Sequence, residues 1–222
     1  MKQAFTLIEL VFVIVVISIL AATIIPNTKT NTIESAALQL AADIRYTQHL
    51  ALIDDRYHTA DMSKSNNEIK EWVKSRWQLI FYSGNNADKK IAYTIFSDSG
   101  TYSGDASRGE IALSPQNSNQ VMSGGFSGSS TLDIRDKNSF VGMRNMNLGK
   151  TYSIDSIAFQ DGCINSAHIT FDNLGRPMTG THGVNNNSHS YIKSNCRIIL
   201  KNSTKEIAIV IAPETGYIEI EF

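Results

Sequence analysis

The residue types that could carry chemistry are thinly spread along this chain. GGFSGS (Gly124 to Ser129) is a near miss to the nucleophile elbow Gly-x-Ser-x-Gly, which holds a serine on a sharp turn between a strand and a helix. Its spacing differs and its surroundings are rich in Gly and Ser, so a loop is favoured. His168, His182 and His189 fall within a short stretch, and imidazoles are common zinc ligands. HGVNNNSH nevertheless has neither zincin spacing nor cysteines in ligand register, which favours solvated loop histidines. Asp98, Asp105 and Glu110, around GTYSGD, could offer oxygens to calcium but do not follow the EF-hand order. The expectation is therefore no catalytic set, no metal site and no cofactor.

Glu9 poses a different chemical question. It stands near the head of AFTLIELVFVIVVISILAATIIP, where Leu10 to Ile25 is interrupted only by Ser18 and Thr23. A carboxylate at the centre of a bilayer helix costs roughly 2.5–3.5 kcal/mol, so an acid in such a run marks a job or a partner. Its place near one end lowers that cost.

The elements that must position Glu9 follow from the same run. Counted from Phe5 it holds about 21 residues, close to the ~20 needed to span hydrocarbon. Lys2 and Ala21-Ala22 imitate a secretory signal, but the run exceeds the 7–15 residues of such a signal's apolar region. It leads instead into Ile33, Ala37, Leu40, Ala41, Ile44 and Ala51, spaced by threes and fours, with Glu34, Gln39, Asp43 and Arg45 as the polar residues between them. One long helix from Phe5 to Ile53 is expected, roughly 70 Å at 1.5 Å per residue. Pro26 would bend or loosen it.

With 222 residues and 42% apolar content, the chain has room for a membrane segment and one head domain. A formal net charge of -1 supplies no basic excess for wrapping nucleic acid. The two cysteines, Cys163 and Cys196, suggest a disulfide in an oxidising compartment. Two buried free thiols are the alternative.

Within the head, WQLIFY and IAYTIF read as strands joined by SGNNADKK. The segment near 97–150 opens with Gly, Ser, Asp and Asn and few apolar anchors, the composition of a long mobile insertion or irregular loop. TYSIDSIAF, HITFD, CRIILK, EIAIVIA and GYIEIEF then read as an antiparallel meander. Period two places Ile207, Ile209 and Ile211 on one face, and Ile218, Ile220 and Phe222 on one face of the next strand. Arg176, in NLGRPM, belongs to a hairpin turn, and the aromatics of KEWVKSRW pack at the head's edge. The fold class is α+β: a long N-terminal membrane-spanning helix whose second half packs on an antiparallel sheet.

The first 26 residues resemble the leader and N-terminal helix of type IV pilins and type II secretion pseudopilins: a short basic leader, a small residue, Phe, then Thr-Leu-Ile-Glu-Leu and an apolar run ending in Pro. The resemblance implies that residues 1–4 are a leader cut between Ala4 and Phe5 by a prepilin peptidase, and that Phe5 becomes N-methylated. The family has Gly where this chain has Ala4. It further implies a transmembrane and assembly helix over 5–26, its amphipathic continuation over 27–54, and a periplasmic head over 55–222. The partners would be other pilin or pseudopilin subunits, met through the N-terminal helix, and an inner-membrane assembly platform. The new α-amino group of Phe5 is cationic near neutral pH. Glu9 of one subunit can therefore pair with the amine of the next, and assembly is favoured over a purely local helix-dipole role worth about 0.3–1 kcal/mol. The family's K-type tip subunit typically lacks this acid.

ALQLAADIRYTQHLAL, WQLIFY, ITFDNLGRPM and IAIVIAPETGYIEI are similar, more patchily, to H-type minor pseudopilins and related minor pilins. Some of these bind DNA through an arginine-rich stretch after the final turn. Here Glu219 and Glu221 occupy that stretch and would repel phosphate. The expected function is that of a minor, non-enzymatic subunit of a secretion or pilus-like machine in the inner membrane. A DNA-uptake pilin and a signal-anchored periplasmic enzyme are the rivals.

Overall fold

Residues 7–24 form one helix, an apolar run far longer than a strand and without Gly or Pro to break it. The structure, a computed structural model, describes residues 6–24, 32–54, 75–99, 103–164, 166–179 and 190–222. It divides into two compact units, Met1–Thr32 and Ile33–Phe222. Helix α1, Leu7–Ile24, is 18 residues long. It lacks a polar face, so it carries no preference for one side. At 18 residues it falls just short of the ~20 that cross a bilayer, and no helix among the described residues is long and apolar enough to cross a membrane.

The second unit opens with α2, Thr32–Ile53. Ile33, Ala37, Leu40, Ala41, Ile44 and Ala51, the residues of the expected stripe, are all buried. The small alanines let the helix approach a sheet closely. Whether α1 and α2 are one helix bent at Pro26 lies outside the described residues, as does Pro26 itself.

Two sheets, rather than one, meet α2. The first has the order β2-β1-β4-β5-β6, built from β1 Trp77–Tyr82, β2 Ala92–Ser97, β4 His168–Phe171, β5 Pro177–Thr179 and β6 Ser190–Tyr191. The second has the order β3-β7-β8-β9, built from β3 Ser156–Asp161, β7 Cys196–Lys201, β8 Glu206–Ile211 and β9 Ile218–Glu221. Every strand pair is antiparallel. The α2 stripe shares one core with Leu79, Phe81, Tyr93, Ile95, Ile169 and Phe171 of the first sheet and Ile198, Leu200, Ile207, Ile209, Ile211 and Ile218 of the second.

This partition corrects the single meander. HITF leaves it to pair with β1, Leu79 opposite Ile169, while β3 skips ahead to β7. Alternation explains the choice: Ile169 and Phe171 on β4 and Leu79 and Phe81 on β1 all turn toward α2. Ile207, Ile209 and Ile211 share a buried face as expected, but Phe222 lies beyond β9 and is 77% exposed.

The Gly/Ser-rich segment is a second correction. Its backbone is irregular, made of short 3-10 turns and a five-residue helix α3, Leu148–Tyr152. It is nonetheless packed. Ala106, Ile111, Val121, Phe126 and Leu132 bury themselves with Ile80 and Phe96, side chains on the face of the first sheet that turns away from α2. Isolated bridges join Ser123 to Thr94 and Ile111 to Phe96, extending the pairing beyond β2. The phenyl ring of Phe126 meets the Tyr82 ring edge-on at 4.6 Å. A third layer therefore covers the sheet, assembled from apolar residues too irregularly spaced to announce a strand or a helix. The same folding makes the end of TYSIDSIAF a strand but its start part of α3.

Hydrogen bonds fix α2 between the sheets. Gln48 Nε2 donates to Gly175 O at 2.8 Å in the β4–β5 turn and to Thr215 O at 2.9 Å in the β8–β9 turn. Arg45 donates to Ile218 O at 2.8 Å, and Trp77 Nε1 donates to Asp54 Oδ2 at 3.1 Å. Gly216 is required here. Its φ is +63°, and a Cβ on it would lie 2.5 Å from Gln48 Nε2.

Candidate functional site

In α1 the one carboxylate sits in the first turn. Thr6 N–H and Thr6 Oγ1 both donate to Glu9 Oε2, at 2.9 and 2.8 Å, and Glu9 N–H donates to Thr6 Oγ1 at 3.4 Å. This is a capping box: two donors that a helix start leaves unpaired are satisfied reciprocally. Glu9 Oε1 has no partner among the described residues. Around it Leu7, Ile8 and Phe12 are 81%, 76% and 69% exposed. Ser18 returns its hydroxyl to Ile14 O at 2.7 Å, so it does not interrupt the apolar surface.

The comparisons bear on this same N-terminal segment. Residues 1–25 match the family model of the prokaryotic N-terminal methylation motif. The chain carries the type IV pilin and pseudopilin signal. No curated protein and no solved structure matches it. The match covers residues 1–25 alone, and the head stands on its own geometry.

Of the residues singled out on the pilin-type segment, Glu9 is placed and capped, whereas Ala4, Phe5 and Pro26 lie outside the described residues. Among the described residues Glu9 plays the local role at the helix start, through its bonds with Thr6.

Cys163 and Cys196 are joined in a disulfide. It ties the turn after β3 to the first residue of β7, and the sequence separation is 33.

The remaining candidates are dispersed. GGFSGS lies in a loop in which Gly125 and Gly128 take φ of +112° and +101°, and Ser129 caps a 3-10 turn by accepting the Thr131 N–H. Asp98 is buried and accepts the Gly104 N–H at 2.7 Å, while Glu110 closes a capping box on Ser107. The described residues contain no group of three or more acids, histidines or cysteines that could hold a metal. His182 and His189 lie outside the described residues. His168 is not a solvated loop histidine: it begins β4, the strand read from HITFD, opposite Ile80, and burial holds its imidazole down at about 4. Arg176 occupies the β4–β5 turn as expected, donating from Nε to Asp172 Oδ2 at 2.8 Å and stacking 4.4 Å from the Tyr191 ring centre. Within KEWVKSRW, Trp77 is buried in the main core, and residues 70–74 lie outside the described residues.

One charged group escaped the reading of α2. Asp43, counted among the polar residues between the stripe positions, is 6% exposed. Its Oδ2 accepts from Tyr93 Oη at 2.6 Å and from Gln39 Nε2 at 3.0 Å. Burial pushes its carboxyl up, against the two hydrogen bonds. The signal was present in the spacing: Asp43 stands three after Leu40 and four before Thr47, both buried, so it falls on the stripe itself.

Proposed function

We propose that the protein is a minor pseudopilin or minor-pilin-like subunit of a type II secretion or type IV pilus-like machine. It is held in the inner membrane by its N-terminal helix with the head in the periplasm. Prepilin peptidase cuts after Ala4, Phe5 is N-methylated, and the subunit joins other pilin or pseudopilin subunits at an inner-membrane assembly platform. Its role is structural rather than catalytic.

The observation that carries this reading is the α1 surface: exposed aliphatic and aromatic side chains all round, with one carboxylate at the start. Such a surface needs lipid or other helices around it. Among the described residues Thr6 engages only Oε2 of Glu9, and in the assembled bundle Oε1 would meet the cationic amine of a neighbouring subunit. Both charges are then satisfied in the assembled bundle, where a carboxylate alone would be costly. Glu219 and Glu221 at the C-terminal strand disfavour a nucleic-acid receptor.

Intact-mass measurement and N-terminal sequencing of the membrane-extracted protein, with a Glu9→Ala variant alongside, test the proposal. The expected result is a chain beginning at methylated Phe5, and a variant that is processed but no longer co-assembles. A chain beginning at Met1, or at Thr23 as an ordinary signal cleavage would leave it, overturns the reading.

A further inference from the structure

The sheet edges are not equally protected. In the first sheet β2 is bridged by Asn147, Ser123 and Ile111, and β6 has two residues. In the second, β9 carries Glu219 and Glu221, and Arg45 takes its Ile218 carbonyl. Charges, brevity and covering segments are the usual ways to blunt an edge. The other edge, β3, is full length and bridged by no segment among the described residues, and what blunts it is confined to Asp161 at its end, where φ is +56°. Its six residues, SIAFQD, contain no Lys and no Pro, and its only charge is Asp161 at the end, with Asp155 just before the start.

The register shows which groups are open. Gly162 N–H bonds Asn195 O at 2.9 Å in step with the β3–β7 pairing. By the alternation of antiparallel bonds, Ser156, Ala158 and Gln160 therefore face β7, and the N–H and C=O groups of Ile157 and Phe159 point away from the sheet. Those groups have no partner among the described residues.

We propose that β3 is a docking edge for a second copy of this chain, paired antiparallel about Phe159. Centred there, Phe159 exchanges both bonds with its counterpart, Ile157 stands opposite Asp161, and Ala158 stands opposite Gln160. No carboxylate meets another. Centring on Ala158 instead would set Asp155 directly against Asp161, and like charges directly opposite are destabilising. Charge repulsion therefore disfavours that register and leaves the pairing about Phe159 open. The exposed side chains Ser156, Ala158 and Gln160 are small or polar, so main-chain bonds lead the contact, as in other strand-addition interfaces. Confinement of two chains to one membrane or filament raises their effective concentration, and only that step rests on the assembly reading above.

The test is cross-linking of full-length chains in detergent, with the Cys163–Cys196 disulfide verified by mass. Ala158 and Gln160 of the partner form a non-hydrogen-bonded pair, with Cα atoms about 4.5 Å apart. Mixing an Ala158→Cys chain with a Gln160→Cys chain under mild oxidation is expected to give a cross-linked dimer that neither chain gives alone. Adding Ile157→Pro, which removes an outward N–H and spares the β7 pairing, is expected to abolish it. No dimer in the mixture, an equal yield from Ala158→Cys alone, or persistence with Ile157→Pro overturns the proposal. Co-assembly lost in Glu9→Ala but not in Ile157→Pro, with no cross-link, would sink the β3 pairing and leave the helix-mediated reading standing.

Discussion

The Tyr93 hydroxyl on β2 donates to Asp43 Oδ2 on α2 at 2.6 Å, in a site where Tyr93 is fully buried. The helix is thus held on the first sheet by a carboxylate that burial would rather see protonated. A folded-state pKa raised above the ordinary value means stability that is present at low pH and lost as pH rises through the raised value. Asp43→Asn should therefore be at least as stable as the natural chain at neutral pH, and the two should converge on acidification. Tyr93→Phe leaves the carboxylate with Gln39 alone and should cost about 1–3 kcal/mol. Urea melts across pH check both. A deficit of Asp43→Asn that stays constant with pH would contradict the argument.

His168 should act with the opposite sign. Burial lowers its imidazole from 6.5 to about 4, so the unfolded chain takes up a proton that the folded chain refuses. Stability then falls as pH drops from about 6.5 to about 4, by at most roughly 2–3 kcal/mol at 1.36 kcal/mol per pH unit. His168→Gln should remove this slope. The comparison is again one of denaturant midpoints, taken between pH 7 and pH 4.

The disulfide closes a long loop between the two halves of the second sheet's edge pair. Replacing both Cys163 and Cys196 by Ser should lower stability by roughly 3–4 kcal/mol in the chain-entropy account. A melt of the natural chain with and without reductant should show the same loss. Equal midpoints would mean that β3–β7 pairing alone holds this edge.

Phe126 tests whether the Gly/Ser-rich segment is a packed layer. It is 4% exposed and belongs to the cluster on the first sheet. Phe126→Ala should cost about 3–5 kcal/mol, and limited proteolysis should then open the chain within 103–142. A mobile loop would show neither effect.

The sequence by itself determined most of the elements and most of their buried faces. The unbroken apolar run of α1, the three-and-four spacing of α2 and the β-branched runs of seven of the nine strands are local patterns, and local patterns report what a segment wants to bury. The motif at the N-terminus was equally local, since its residues are contiguous. The pairing of Cys163 with Cys196 was open only because free thiols also bury well.

Tertiary structure alone decided which strands became neighbours. HITF and SIAFQD are both adequate strands, and only the shared core under α2 sends one to β1 and the other to β7. The same holds for the segment near 97–150, whose apolar residues gain their meaning from the sheet face they cover rather than from any period of their own. Asp43 is the sharpest case. Its spacing sets it on the buried stripe, but its charge reads as solvent-facing until a tyrosine fifty residues later in the chain supplies the hydrogen bond that makes its burial tolerable, because a buried polar group depends on partners that no local window contains.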